Sequence, residues 1–436
     1  MRATSVHLQS GRSAWTRAGI AAASFMLATL VACDGAPGIP TASEGTQIVL
    51  QRSDVHVLGT SEAIATVYDL EVLSDGTVWV FNSLEPFFVG FDANGSVLQE
   101  HGRAGGGPEE FGAPSGFVVG GIDGKAWTFD RERHLMIDVS APDVARSEIS
   151  LPREAIPPGS LWGTNPFGGL VRTARLGDDL ILPRRGQPGR ETTVPGSWLS
   201  IWTADVIAMN LETRSVREVI ALGTTLGDPT AHFELDGTGL PVPFWFRLWA
   251  VCSDSEIRVY DRLRNEVRGF TLDGIEIEAT PLPPVSLDEV THREFARVMF
   301  DLAAVERMGQ VPSGAVGMSS ADSAQILNEF LRSLDASPAQ LASVLPRYVD
   351  YRCDDEGTQW IQPFDIDTPG PLMGGLRGGR VWLRITTDGE TEEIRLPDSF
   401  DPYRFTPDKI WGVQRDEFDV ASVAWIAVPP IVRTSR

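Results

Sequence analysis

Apolar and polar side chains alternate through residues 67–129, and short turns interrupt the alternation at regular intervals. Asp75-Gly76 and Asn94-Gly95 stand at two of these joints, which is typical of half-buried β-strands joined by tight turns. The same order of strand and turn returns from Gly116. A unit that repeats after roughly 40–50 residues, with about four strands in each copy, predicts a β-propeller.

Six such units can be followed along the chain. They cover residues 64–101, 115–151, 176–210, 247–274, 348–389 and 408–425. The last unit is short of strands, and the apolar segment 48–58 is available to complete it. We therefore predict an all-β fold, a six-bladed β-propeller whose N-terminal strand closes the last blade and so removes an exposed sheet edge.

Two interruptions depart from this repeat. The third unit contains a basic segment rich in Pro and Gly, residues 183–190, which either attracts an anion or is an ordinary solvated loop. Between the fourth and fifth units, Ser286 to Glu289 form a capping box, and apolar residues then follow at helical spacing. Residues 286–346 are thus predicted to be a helical insertion, which either covers one mouth of the propeller or packs on its flank.

Tryptophan is plentiful, with 12 copies, and several stand at the same place in a predicted strand. These are Trp79, Trp127, Trp382 and Trp411. Repetition of a large apolar side chain at one position of the unit predicts packing between neighbouring sheets rather than a binding surface.

The first 32 residues have the pattern of a secretory signal. Arg12 and Arg17 precede an apolar run from residue 18 to residue 32, which is too short to span a membrane but suits the apolar region of a signal peptide. The run ends in Leu30-Val31-Ala32-Cys33, which resembles the lipobox of bacterial lipoproteins. This resemblance implies cleavage before Cys33, a lipid on its thiol and location in the bacterial cell envelope, on the periplasmic side or the cell surface.

The sequence divides accordingly into four parts. Residues 1–32 are the signal peptide, 33–46 a flexible tether rich in Gly, Pro and Ser, 47–430 the propeller and 431–436 a short tail.

The net charge is −22, from 37 basic and 59 acidic side chains. Residues 1–32 contain three arginines and no acid, so that 34 basic and 59 acidic side chains leave −25 after cleavage. A field of this sign repels phosphate backbones, which argues against nucleic acid as a partner.

Cys252 and Cys353 precede acidic turns at the same point of two neighbouring units. Equivalent positions in adjacent blades can come within the Cα separation of roughly 4.4–6.8 Å that a disulfide needs, and the envelope is an oxidising compartment. The alternative is a pair of separately buried thiols.

The connector after the first unit, residues 102–114, is rich in glycine and follows a Phe-Asp-Ala-Asn-Gly turn at 91–95. It resembles the inter-blade signature of six-bladed propellers of the NHL type, which carry a Gly-x-Gly-Pro-Gly-x-Phe-x-x-Pro run here. Glu109 replaces the last glycine of that run. No Lys-Ser or Lys-Thr pair follows, so a phosphate-binding loop is not indicated.

Motifs for catalysis are missing from the sequence. The histidines show no metal-ligand spacing; they are His7, His56, His101, His134, His232 and His292. Asp365 and Asp367, followed by Gly370, hint at a calcium loop but lack the further ligands. We assign no catalytic, cofactor-binding or metal-binding residue from the sequence.

Two functions remain open at this point. The first is a binding module in the cell envelope, anchored to the bilayer through the acyl chains on Cys33, whose partner is an unknown envelope protein or a small ligand. The alternative is an enzyme similar to the calcium-dependent lactonases built on six-bladed propellers, in which a metal at the channel polarises a carbonyl group. A fold that hosts both functions does not decide between them.

Overall fold

The computed structural model describes residues 47–82, 84–107, 109–119, 124–130, 132–141, 148–152, 173–185, 192–193, 199–202, 204–221, 230–234, 241–243, 249–253, 255–261, 264–284, 347–363, 380–386 and 389–430. All of them belong to one compact unit, Glu44–Arg436. The predicted signal peptide, tether, helical insertion and C-terminal tail lie outside the described residues. No helix within the described residues is both long and apolar enough to cross a membrane.

The described elements are almost all strands. The first are β1 (Gln47–Val49), a single-turn 3₁₀ helix (Arg52–Asp54), β2 (Val55–Thr60), β3 (Val67–Val72), β4 (Val78–Asn82), β5 (Phe88–Phe91), β6 (Val97–His101), β7 (Arg103–Ala104), β8 (Glu110–Phe111), β9 (Pro114–Phe117), β10 (Trp127–Asp130), β11 (Leu135–Asp138) and β12 (Glu148–Ser150). The middle of the chain holds β13 (Ala174–Leu176), β14 (Asp179–Arg185), β15 (Thr192–Thr193), β16 (Leu199–Trp202), β17 (Ala204–Asn210), β18 (Val216–Ile220), β19 (Thr230–Glu234) and β20 (Pro241–Pro243). The last are β21 (Trp249–Val251), β22 (Glu256–Asp261), β23 (Glu266–Thr271), β24 (Glu276–Pro281), β25 (Tyr348–Cys353), β26 (Gln359–Pro363), β27 (Val381–Ile385), β28 (Thr391–Arg395), β29 (Phe400–Phe405), β30 (Lys409–Arg415) and β31 (Ala421–Ala427).

These strands form six antiparallel blades, which confirms the predicted six-bladed β-propeller. The blades are β3–β6, β9–β12, β13-β14-β17-β18, β21–β24, β25–β28 and β29–β31 with β2. The first strand of each blade lies nearest the axis, where inner strands of neighbouring blades meet, for example β3 with β9 and β29, and β21 with β25.

The N-terminal strands end up on two different blades. As predicted, β2 completes the last blade by pairing antiparallel with β31, and His56 stacks on Trp425 across this pair at 4.2 Å between ring centroids. β1 pairs in parallel with β28, on the outer edge of the fifth blade. The N-terminal segment therefore covers the outer edges of two neighbouring sheets, which leaves fewer unpaired backbone groups exposed.

The third blade differs from the prediction in its basic segment. Pro183, Arg184 and Arg185 belong to β14 and pair with β17, so the connection begins after residue 185 instead of at 183. Among the described residues, β13 pairs with β14 only as far as Ile181, so Pro183 lies beyond that ladder, where proline is tolerated. An additional four-stranded sheet, β15-β16-β19-β20, was not anticipated from the sequence.

Each blade buries both of its faces, and one apolar cluster lies between each pair of neighbouring blades. Strand β4 shows how the sequence achieves this. Val78 and Val80 point toward the sixth blade, whereas Trp79 and Phe81 point toward the second. Because six clusters join six blades in a closed series, the ring has no free face.

The tryptophan prediction holds with one correction. Trp79, Trp127 and Trp411 lie on the second strand of their blades and are buried between sheets. Trp382 is also buried, but it lies on the third strand of the fifth blade. Trp360, on β26, occupies the second-strand position there.

Candidate binding face and channel

The connections between strands differ sharply between the two ends of the propeller. At one end they are short; they span residues 73–77, 92–96, 118–126, 139–147, 177–178, 211–215, 252–255, 272–275, 354–358, 386–390 and 406–408. At the other end six are longer, and these span residues 102–113, 151–173, 186–203, 221–248, 282–347 and 364–380. We call the first end the tight-turn face and the second the loop face.

The additional sheet belongs to the loop face. β15 and β16 lie in the connection between β14 and β17, and β19 and β20 lie in the connection between β18 and β21. Both connections leave the third blade at its loop end. The helical insertion predicted at residues 286–346 falls in a third connection of this face.

A polar side chain ends the second strand of three blades at the loop face and anchors nearby backbone. Asn82 Oδ1 accepts the N–H groups of Ala65 and Thr66 at 3.1 Å each. Asp130 accepts those of Gly112 at 2.8 Å and Ala113 at 3.2 Å. Buried oxygens that accept several backbone N–H groups fix the connector that leads into each inner strand.

Asp261 is the third member of this set, and it faces cations as well as backbone. Arg264 donates to it from Nη1 at 3.0 Å, and Arg268 Nη1 lies 3.4 Å from the same oxygen. Sequence reasoning did not single out these three residues. The signal was present, since each follows an aromatic residue: Phe81-Asn82, Phe129-Asp130 and Tyr260-Asp261.

The glycine-rich connector is organised by Glu110. Its Oε2 accepts the Gly107 N–H at 2.7 Å, and its Oε1 lies 3.0 Å from Arg103 Nη2. The Gly107 hydrogen bond, together with Arg103, lowers the pKa of this carboxyl group below its usual value although partial burial opposes the shift. Glu109 has a φ of 61°, a left-handed conformation that glycine adopts more readily than other residues.

Charged side chains recur at one position of the inner strands, opposite a tryptophan of the second strand. The register pairs Glu71 with Trp79, Arg352 with Trp360, and Arg404 with Trp411. These three charged residues belong to the first, fifth and sixth blades, which are neighbours in the ring.

Their charges are paired within the protein. Arg404 donates to Asp355 Oδ1 at 2.6 Å, and its Nε lies 3.6 Å from Glu71 Oε1. Burial opposes the charged form of Arg404, but the two carboxylates raise its pKa above the usual value. Arg352 forms a two-pronged pair with Asp350 at 2.8 and 2.6 Å.

Arg352 also donates to the Tyr403 carbonyl at 2.7 Å, so it links the fifth blade to the sixth. The cavity at this point of the axis is lined by Trp249, Tyr351, Arg352 and Arg404 among others, and it leaves ≈ 20 Å³ for the centre of a water-sized molecule. That space suits about one water. With its cations paired and little room left, this part of the channel stabilises the ring and is a poor site for an anion.

Cys252 and Cys353 meet beside this cavity. Cys252 directly follows the inner strand of the fourth blade, and Cys353 ends the inner strand of the fifth. Their Cα atoms lie 5.2 Å apart, and their sulfur atoms lie at bonding distance. The Tyr351 hydroxyl lies 3.7 Å from Cys252 Sγ and 3.5 Å from Cys353 Sγ, and it donates to Gln359 at 3.0 Å. Complete burial raises the pKa of this tyrosine well above its usual value.

Other residues singled out in the sequence lie outside the described residues: Cys33, the calcium-loop candidates Asp365 and Asp367, and the basic residues 186–190. Within the described part, no three His, Cys, Asp or Glu side chains are grouped closely enough to hold a metal ion.

No protein-family model matches this chain, and no curated protein matches it. Among solved structures, a catalytically inactive variant of virginiamycin B lyase from Staphylococcus aureus is 12% identical, with 85% of this chain and 87% of that chain covered and a TM-score of 0.35. A Bacteroides fragilis protein named as exported is 9% identical, with 88% and 99% covered and a TM-score of 0.44. Regucalcin, a calcium-binding protein from Agrobacterium tumefaciens, is 13% identical, with 88% and 96% covered and a TM-score of 0.40. Similarity at this level does not extend to function.

Proposed function

We propose that this chain is a lipid-anchored binding protein of the bacterial cell envelope, and that its loop face holds the partner. The observation that carries this proposal is the difference between the two faces. Long connections on a rigid scaffold are where binding residues concentrate. Here six of them leave one end of the ring, whereas the connections at the other end have at most nine residues.

The paired charges on the axis support the same conclusion. Arg352 and Arg404 are the cations of the channel cavity, and both are occupied by carboxylates of the chain. A ligand there would have to displace these internal partners, at the cost of leaving a buried charge unpaired.

The course of β1 is compatible with an anchor that leaves the loop face free. β28 runs from the tight turn 386–390 toward the loop face, and β1 runs parallel to it. Gln47, the first residue of β1, therefore lies at the tight-turn end of that strand. A flexible segment of the length of residues 33–46 spans about 20 Å on average, which is enough to hold the propeller close to a bilayer.

Site-specific photocrosslinking in the native bacterium tests the proposal. A photoreactive residue replaces Glu132 or Glu417 on the loop face, with Asn94 and Glu356 on the tight-turn face as controls; all four side chains are exposed. We expect the loop-face positions to capture the same partner and the controls to capture none. Equal capture from both faces, or capture only from Asn94 and Glu356, would contradict the proposal.

The anchor has its own test. Cys33→Ala is expected to abolish incorporation of labelled palmitate and to release the protein from the membrane fraction. If the variant still takes up the label, the lipid is attached elsewhere and the Cys33 assignment is wrong.

A further inference from the structure

Two turns of the loop face present exposed apolar side chains between carboxylates. In the first blade, Leu84 is 60% exposed and is followed by Glu85. In the sixth blade, Phe418 is 78% and Val420 51% exposed, and Glu417 precedes them. We call these five residues the acidic–apolar patch.

The two turns are equivalent in the repeat. Each joins the second strand of its blade to the third, β4 to β5 and β30 to β31. The first and sixth blades are neighbours, because their inner strands β3 and β29 meet. Both sets of apolar side chains therefore face the same side of the molecule on adjacent blades.

The sixth-blade turn is held by hydrogen bonds and an ion pair rather than by its apolar residues. Asp416 Oδ1 accepts the N–H groups of Phe418 at 2.8 Å and Val420 at 2.9 Å. Arg415 forms an ion pair with Asp419 at 3.1 Å across the turn. The phenyl ring is thus presented to solvent by a fixed backbone, which lowers the entropy that binding would cost.

The first-blade turn is held in a similar way. Asn82 Nδ2 donates to the Leu84 carbonyl at 2.9 Å, and Glu85 Oε1 accepts the Ala104 N–H at 2.8 Å. These hydrogen bonds fix the backbone at Leu84, and its side chain forms part of the exposed surface.

The charge of this surface indicates the chemistry of what it binds. Arg415 is the basic residue of the sixth-blade turn, and Asp419 neutralises it, while Asp416 and Glu417 are the other charges there. We infer that the acidic–apolar patch docks a protein segment in which lysine or arginine side chains flank an apolar residue. Apolar contact with Phe418 and Leu84 supplies the anchor, the carboxylates attract the cations, and the exposed ring can also receive a cation on its face. This inference rests on the proposed function, since it names the partner class of the loop face.

The chain offers a matched control on the other side of the molecule. Ile275 is 64% exposed at a tight turn, and Ile277 beside it is 52% exposed. Here two neighbouring carboxylates are occupied, because Glu276 pairs with Arg268 and Glu278 with Arg258. Asp273 in the same turn is exposed, so the control matches the apolar exposure while two of its three nearby carboxylates are held in ion pairs.

The test measures binding of two fluorescent synthetic peptides to the full chain by anisotropy. One peptide alternates lysine with leucine and phenylalanine, and the other carries glutamate in place of lysine. We expect binding of the lysine peptide only, weakening with added salt. Phe418→Ser is expected to weaken binding of the lysine peptide about tenfold or more, as for an interface anchor. Adding Leu84→Ser to this variant should weaken the binding further, whereas Ile275→Ser should leave it unchanged.

Three results would overturn the inference. They are equal binding of the two peptides, an Ile275→Ser effect as large as that of Phe418→Ser, and no binding of either peptide. Binding of phosphatidylcholine vesicles that depends on Phe418, without peptide binding, would assign the patch to a lipid surface instead. Failure of this test with continued crosslinking from Glu132, which lies outside the patch, leaves the proposed function standing, so the two conclusions are separable.

Discussion

The hydroxyl group of Tyr403, on the inner strand of the last blade, donates to the carbonyl of Val67, on the inner strand of the first, at 2.7 Å. This bond joins the two ends of the propeller at its axis, whereas β2 joins them at the rim. Both residues are buried, so the bond is shielded from water.

Tyr403→Phe should lower the free energy of unfolding by about 1–2 kcal/mol, because it leaves the buried Val67 carbonyl without this donor. Chemical denaturation monitored by tryptophan fluorescence measures the change. Tyr68→Phe serves as the control, because Tyr68 is only half buried and makes no side-chain hydrogen bond to another described residue. An equal effect of the two substitutions would show that loss of the Tyr403 bond is not the cause.

Gly95→Ala should destabilise the ring far more than the backbone strain of its left-handed conformation alone would. Gly95 has a φ of 84°, and an added Cβ would lie 1.8 Å from the Leu58 carbonyl oxygen, where the first blade meets β2 of the last. Gly389 has a φ of 82° with nothing within 4 Å, so Gly389→Ala incurs only the backbone cost of about 1 kcal/mol. We expect the melting temperature to fall much further for Gly95→Ala, and similar melting temperatures would contradict the close contact.

His101 should make the protein sensitive to mild acid. Its Nε2 contacts the Val139 carbonyl of the second blade at 2.7 Å, and burial lowers the pKa of the imidazole below its usual value of 6.5. Because the unfolded chain then binds the proton more readily than the folded chain, this contribution to stability is present above about pH 6.5 and is lost as the pH falls toward the lowered value.

His101→Gln retains an amide donor but removes this titration. The free energy of unfolding, measured between pH 7.5 and pH 5, should therefore fall less steeply for the variant than for the native protein. Parallel curves would show that another group controls the response to acid.

The pairing of Cys252 with Cys353 predicts the thiol content of the chain. The sequence contains three cysteines, so a Cys33→Ser chain retains only this pair. In denaturant without reductant it should show no reactive thiol, and two thiols after reduction. Two thiols before reduction would favour the separately buried alternative.

Replacing both residues by serine should also lower stability, by up to about 5 kcal/mol, because the bond closes a loop of 101 residues that spans the predicted helical insertion. Thermal unfolding of the oxidised, reduced and doubly substituted chains measures this. The reduced and substituted chains should agree, and disagreement would mean that the serines perturb the inner strands beyond loss of the bond.

The blades could be predicted because their signal is local. The alternation at Val78, Trp79, Val80 and Phe81 places side chains on both faces of one strand, and Asp-Gly and Asn-Gly turns mark where the strand reverses. The predicted sixth unit was correctly recognised as lacking a strand. The sheet β15-β16-β19-β20 could not be predicted, because its strands are short and are separated along the chain by β17 and β18.

The candidate site was harder to predict from the sequence than the blades were. Asn82 and Asp130 could have been noticed at the ends of their strands, but their role depends on connectors whose path the sequence does not give. No pattern in the sequence distinguishes Phe418 from any other apolar residue beside a turn. Only the exposure of its ring and the hydrogen bonds of Asp416 distinguish it from a packed side chain.

The sequence by itself determined most strands of the blades, their turns and the number of blades, since these follow from interactions between residues that are near each other in the chain. The tertiary structure decided the rest. It placed β1 beside β28, joined Tyr403 to Val67 and set Arg404 between Glu71 and Asp355. Such contacts depend on how the ring closes, and closure brings together residues from opposite ends of the chain that no local pattern relates.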